Sequence, residues 1–239
     1  MPAIRAVIFD CYNTLVDIRT DERKAGVLSA LSLYMQYYGA NISERTLRAA
    51  IYREKERFLE SEQETYPEVD LEVIFRNILI GKGLYGPFLA ESCCKLFRIL
   101  TRERFQLFPE SLPVLREIKG SNYLLGVVSD AQKSFTLAEC RILGLHQFFD
   151  RVVLSSQYGF RKPDPRLFLI ACALLGAQPH EAVYIGDHPE KDVKGPRQVG
   201  MPVILVDREG RDGNPETAEE PDFRARDLWE AWEWIVKKD

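Results

Sequence analysis

The sequence has no long hydrophobic run, no block of basic residues and no paired cysteine motif, and each absence removes a class of function. Its opening, MPAIRAVIFD, holds an apolar stretch far too short to cross a bilayer, with no basic start or cleavage site to frame a signal peptide. A soluble, cytoplasmic protein with no membrane partner is expected. The 32 Lys and Arg are outnumbered by 36 Asp and Glu, for a net charge of −4. That balance argues against nucleic acid, whose phosphates favour a positive face. The cysteines, Cys11, Cys93, Cys94, Cys140 and Cys172, are odd in number and scattered, with no C-x-x-C pair. A zinc site or disulfide framework is therefore not expected, and a reducing compartment is the simpler setting. Adjacent Cys93 and Cys94 fall in a helical pattern, where burial as small apolar residues is expected. No internal repeat is visible.

What is present suits a large α/β core: 239 residues, 46% of them hydrophobic. Five short runs, Ala6–Phe9, Leu124–Val128, Val152–Leu154, Val183–Ile185 and Val203–Val206, are rich in Val and Ile and apolar on both faces. Strands covered by helices on both sides read this way. Helix-length segments separate most of them. Asp164-Pro165 is an N-cap followed by proline at the first helical position, and Gly176, Gly144 and Gly200 are placed to close helices. The pattern predicts a doubly wound, Rossmann-like parallel sheet, with ligands beyond the carboxyl ends of its strands. Between about Val16 and Leu107 the alternation stops. That stretch shows no convincing strand, only helical patterns: one capped by Ser43, one through Leu71, Ile74, Phe75 and Ile78 that stops near Gly81, and one that begins at Pro87. The reading is a core of residues 1–15 and 108–239 with an inserted helical cap, 16–107. Asp207–Pro221 is polar and turn-rich, an expected exposed loop. Leu228, Trp232 and Ile235, with Trp229 beside them, are expected to pack the last helix on the core.

Four segments following or trailing predicted strands carry chemistry-bearing residues. They are Asp10-Cys11-Tyr12-Asn13-Thr14-Leu15, Ser129-Asp130-Ala131, Lys162-Pro163-Asp164-Pro165, and Gly186-Asp187-His188-Pro189-Glu190-Lys191-Asp192. Each alone is weak, since Asp and Ser are common turn and cap residues. Strand-end placement makes their side chains converge on one edge of the sheet.

Together, in this order, they resemble the four motifs of the haloacid dehalogenase superfamily, in the branch with a helical cap after the first strand. The resemblance spans essentially the whole chain. It implies a covalent intermediate on Asp10 and a Mg²⁺ held by Asp10, the backbone carbonyl of Tyr12, Asp187 and Asp192. It implies that Lys162 orients Asp10 and balances an incoming phosphate. Ser129, with Asp130, Ala131 and Thr14, would grip the substrate, the Thr14 hydroxyl also fixing the turn. The expected substrate is a small phosphorylated molecule, and the protein a monomer or homodimer. Asp164 is read as a helix cap only and His188 as an exposed loop residue. Arg53, Lys55 and Arg57 are read as a solvated face and given no role.

Tyr12 departs from the phosphatase pattern, which has a second Asp there as acid and base. A phenol with an ordinary pKa of about 10 is a poor base at neutral pH. Tyrosine at this place resembles the family's 2-haloacid dehalogenases, which use no metal. Their fourth motif, however, lacks Gly186-Asp187, and Leu31–Asn41 has no Arg for a halide. Phosphoryl chemistry is therefore the first expectation, dehalogenation the second, and a weakly catalytic ligand- or partner-binding protein the third.

Overall fold

A computed structural model describes residues 3–208 and 219–238 of the chain. In chain order the strands are β1 (Ala6–Phe9), β2 (Val16–Thr20), β3 (Arg102–Leu107), β4 (Leu124–Ser129), β5 (Arg151–Leu154), β6 (Ala182–Gly186), β7 (Val203–Val206) and β8 (Phe223–Ala225). The helices are α1 (Val27–Tyr37), α2 (Glu44–Ser61), α3 (Leu71–Ile80), α4 (Pro87–Thr101), α5 (Ser111–Gly120), α6 (Lys133–Ile142), α7 (Pro165–Leu175), α8 (Lys194–Gln198) and α9 (Leu228–Lys238).

Six strands form one sheet in the order β5-β4-β1-β6-β7-β8, and every pairing in it is parallel. The five strands expected from apolar runs are all in it, displaced by no more than a residue or two at their ends. β1 is central, and its four residues are fully buried because helices cover both faces. The expected caps are present: Asp164 Oδ1 accepts the Arg166 amide at 3.0 Å. Gly144, Gly176 and Gly200 take left-handed φ values of 71°, 69° and 76°, a region that costs a glycine nothing.

Three expectations need correction. The insertion is not free of strands: β2 and β3 pair antiparallel across it. Their sequences, VDIRT and RERFQL, carry only two apolar residues each, and the partner lies more than eighty positions away, so no turn announces the pair. Cross-strand ion pairs, Arg104–Asp17 at 3.2 Å and Arg19–Glu103 at 3.1 Å, line its exposed face. β8 was not anticipated, because three residues after a polar stretch carry too little pattern. Within the expected loop Asp207–Pro221, residues 209–218 lie outside those described. Finally, Trp229 is 39% exposed. Trp234 packs in its place, stacked on Phe223 at 6.0 Å between ring centroids.

Helices α1 to α4 carry their own buried cluster, built on Leu31, Met35, Leu47, Phe75, Cys93 and Cys94. Phe135 of α6 joins that cluster, so the helical layer is packed onto the sheet layer.

Candidate active site

The expected site residues lie on the segments that follow β1, β4, β5 and β6 at the carboxyl edge of the sheet. Asp10 follows β1, and its amide donates to Ile185 O at 2.8 Å, which fixes it beside the end of β6. Asp10 is 7% exposed and Lys162 3%. Lys162 Nζ lies 3.0 Å from Asp10 Oδ1 and 2.6 Å from Asp192 Oδ1, and it donates to Tyr184 Oη at 3.0 Å. Burial pulls the lysine pKa down, but Asp10 and Asp192 outweigh it and hold the ammonium well above its ordinary value. Lys162 is therefore a fixed cation.

Asp192 is wholly buried and fully employed. Its Oδ1 takes Lys162 and Tyr184; its Oδ2 takes the amides of Asp187 at 3.1 Å and His188 at 2.9 Å. Burial opposes its charge, yet Lys162 holds its pKa below the ordinary carboxylate range. The side chain packs so closely on Gly186 that an added Cβ there would stand 2.5 Å from it, so only glycine fits. Asp192 thus folds the Asp187 turn and aims Lys162.

Asp187 and Asp10 are less well compensated. Burial, reinforced by neighbouring carboxylates, pushes Asp187 up to about 7. Burial and Asp192 raise Asp10 to about 6, against the opposing pull of Lys162 and a hydrogen bond from Ser129. Asp10 Oδ1 is buried and has no hydrogen-bond partner of good geometry, although Lys162 is close. Oxygens of Asp10, Asp187 and Asp192 all lie within 4.8 Å of one another. Three clustered carboxylates with a single ammonium between two of them fit a small divalent cation with hard oxygen ligands, such as Mg²⁺.

The remaining expectations fare unevenly. The Thr14 hydroxyl is fully buried and donates to Asp187 Oδ1 at 3.0 Å, so it holds a carboxylate instead of facing substrate. The Ala131 amide is taken by Ser155 Oγ at 3.0 Å. Asp130 Oδ1 accepts the backbone N–H of Lys162 at 2.8 Å, which ties that loop in place. The largest change concerns Tyr12. Its hydroxyl donates to Glu139 Oε2 at 2.5 Å and lies 3.0 Å from Thr136 Oγ1, both on α6. Burial above all holds the phenol proton on, far above its ordinary range. Arg98 of α4 lies over the Tyr12 ring at 4.8 Å and grips Glu139 with two hydrogen bonds, at 2.8 and 3.0 Å. The phenol belongs to the seam between the two layers.

The loop after Asp10 separates two clefts. Tyr12 lines one of about 460 Å³ together with Lys55, Glu68, Arg98, Asp130 and Arg161. Asn13 and Asp187 line the other, about 580 Å³, with Asp17 and Arg104. Lys55, given no role from sequence, faces the first cleft. Its charge-rich helix offered no signal to single it out. Tyr184 was also overlooked; a lone hydroxyl inside an apolar strand was the available clue.

A profile of haloacid dehalogenase-like hydrolases matches residues 4–200. A phosphoserine phosphatase of Thermus thermophilus is 36% identical over 161 residues, covering 67% of this chain and 63% of that protein. The matched part thus spans less than two thirds of that relative. A glyceraldehyde 3-phosphate phosphatase of Methanopyrus kandleri is 26% identical over 242 residues, covering 98% of this chain and 99% of its own. The crystal structure of a 2-haloacid dehalogenase from Pseudomonas syringae superposes with a TM-score of 0.68 at 24% identity, covering 99% of this chain and 100% of its own, and shares the fold.

Proposed function

The chain belongs to the haloacid dehalogenase-like hydrolases, and on that premise we propose that it is a Mg²⁺-dependent phosphatase of small phosphate monoesters, working through an aspartyl-phosphate on Asp10. The observation that carries this reading is the excess of buried carboxylate around Lys162, which is itself only 3.0 Å from Asp10 Oδ1 and 2.6 Å from Asp192 Oδ1. A metal-free alkyl transfer has no use for Asp187, whereas a dianionic phosphate needs positive charge beyond one lysine. The full-length glyceraldehyde 3-phosphate phosphatase relative supports the same choice.

In this account Asp10, the Tyr12 carbonyl and Asp187 hold the cation, with Asp192 ordering the Asp187 turn. Bound there, Mg²⁺ supplies charge neutralisation and polarisation of the phosphoryl group. Lys162 keeps Asp10 in position and balances the phosphate charge. Ser129 releases its hydrogen bond to Asp10 in favour of a phosphoryl oxygen. Asp10 attacks phosphorus, and water then hydrolyses the acyl phosphate. Residues 16–107 act as a cap, and Lys55 and Arg161 face what the phosphate is attached to.

A screen of phosphate monoesters with and without Mg²⁺ tests the proposal. Mg²⁺-dependent phosphate release that is lost in Asp10→Asn is expected. Halide release from 2-chloropropionate without metal, and no phosphate release, would replace it with the dehalogenase reading. Phosphate binding with neither activity would point to a binding protein.

A further inference from the structure

An alkoxide leaving a phosphate monoester must gain a proton, and Tyr12 is badly placed to give it. Its hydroxyl hydrogen already goes to α6, and burial keeps the phenol from ionising. The cleft that Tyr12 lines holds three carboxyls, Glu22, Glu68 and Asp130. Glu22 is exposed. Asp130 is bound to the Lys162 amide and faces Lys191 Nζ at 3.7 Å. Glu68 differs from both. Like Asp130 it is half-buried, but it comes from the helical layer, on the segment between α2 and α3. The Ser155 hydroxyl donates to its Oε2 at 2.8 Å, and Gln132 Nε2 donates to its Oε1 at 3.0 Å. Ser155 Oγ also accepts the Ala131 amide, so Glu68 is tied to the loop that follows Ser129 both directly, through Gln132, and by way of Ser155. Its backbone is anchored too: the Glu68 amide donates to Gly159 O at 2.9 Å. Each carboxyl oxygen still has a lone-pair site beyond the one in use.

We propose that Glu68 is the acid and base of the reaction, delivered by the helical layer, and that the site is thereby built for alkyl phosphates, whose leaving oxygen is too basic to depart unprotonated. This rests on the phosphatase reading. As an Asp10 oxygen bonds to phosphorus, the bond from phosphorus to the ester oxygen breaks. The proton of the Glu68 carboxyl passes to that oxygen, and a neutral alcohol leaves. The Glu68 carboxylate then takes a proton from the water that attacks the aspartyl-phosphate, which releases inorganic phosphate and restores both carboxyl groups. Burial lifts Glu68 above the usual carboxylate range and so favours the protonated form at the start; of the charges facing it, Asp130 adds to the lift, while Arg161 and Lys191 oppose it.

The test compares wild type with Glu68→Gln at saturating Mg²⁺ on two substrates. One is 4-nitrophenyl phosphate, whose leaving phenolate needs no donor. The other is the alkyl ester turned over fastest among the phosphates of serine, glycerol and glyceraldehyde. The quantity is the rate of leaving-group release in a single turnover. The variant should lose about 10²-fold more on the alkyl ester than on the nitrophenyl ester. It should also lose the fall in alkyl-ester rate that wild type shows as pH rises and Glu68 gives up its proton. Equal losses on both substrates would mark Glu68 as merely structural and overturn the proposal, as would an unchanged alkyl-ester rate. A wild type that cleaves neither substrate would instead overturn the phosphatase reading, and this proposal with it.

Discussion

Two buried charge clusters lie on either side of Asp10-Cys11-Tyr12, and they are built on opposite principles. At the seam, Glu139 is 5% exposed and accepts Tyr12, Arg98 and, at 3.4 Å, Arg102. Every charge there has a partner within the protein. At the sheet edge, three carboxylates lie together and the one lysine among them pairs with only two, Asp10 and Asp192. Burying charge is tolerable when it is paired and costly when it is not. The seam is therefore complete as it stands and acts as a clamp between layers. The sheet edge holds more negative charge than the protein itself compensates, as a reactive site does, and on the reading proposed above a cation and an anionic substrate complete it.

Breaking either cluster should fail in its own way. The largest effect is expected from Asp10→Asn, which should lower phosphate release by at least about 10⁴-fold, as loss of a nucleophile does. Thermal unfolding of the same variant should show no loss of stability, because a repelled carboxylate has been removed. The next largest is Glu139→Ala. It strands the Arg98 guanidinium, 13% exposed, and should cost about 3–5 kcal/mol in denaturant unfolding. A cost near that of an exposed ion pair would erase the contrast between the clusters.

A third effect separates the clusters by pH. Asp10 and Asp187 have folded pKa values raised to about 6 and about 7. Their contribution to stability is full below the unfolded carboxylate range and is lost as pH rises through 6 to 7. Without a divalent cation the protein should weaken across that window. Mg²⁺ binds the deprotonated carboxylates, so it should raise the melting temperature more at pH 8 than at pH 5. At a hundredfold excess over its Kd the stabilisation is about 2.7 kcal/mol. A shift that ignores pH, measured by scanning fluorimetry, would contradict the uncompensated cluster. The smallest effect is Tyr12→Phe, which removes hydrogen bonds at the seam and should cost about 1 kcal/mol. Mg²⁺ affinity, read by calorimetry, should hold, because the backbone carbonyl remains.

The sequence exposed one of these clusters and hid the other, for physical reasons. Asp10, Lys162, Asp187 and Asp192 are short-range features: each follows a buried strand or its loop, and strand ends converge whatever the rest of the chain does. The seam needed a contact between α4 and α6, forty-one positions apart in the case of Arg98 and Glu139. Nothing in the local pattern ties a helical arginine to a helical glutamate at that range. So Tyr12 read as an anomaly of catalysis when its side chain is an element of packing. Thr14 and Ala131 were legible as members of the right loops but not in their roles, since hydrogen-bond partners from Asp187 and Ser155 come from other strand ends. The ribbon β2–β3 was lost for the same reason as the seam, its partners being far apart in the chain.

The covalent step proposed for Asp10 is open to direct observation. Wild-type protein turning over an alkyl phosphate with Mg²⁺ is quenched in acid, digested, and its peptides are weighed. The peptide holding Asp10 should carry a phosphoryl group that borohydride reduces away, absent when Mg²⁺ is omitted and absent in Asp10→Asn. Product formed while that peptide stays unmodified, or a phosphoryl group on another residue, would contradict it.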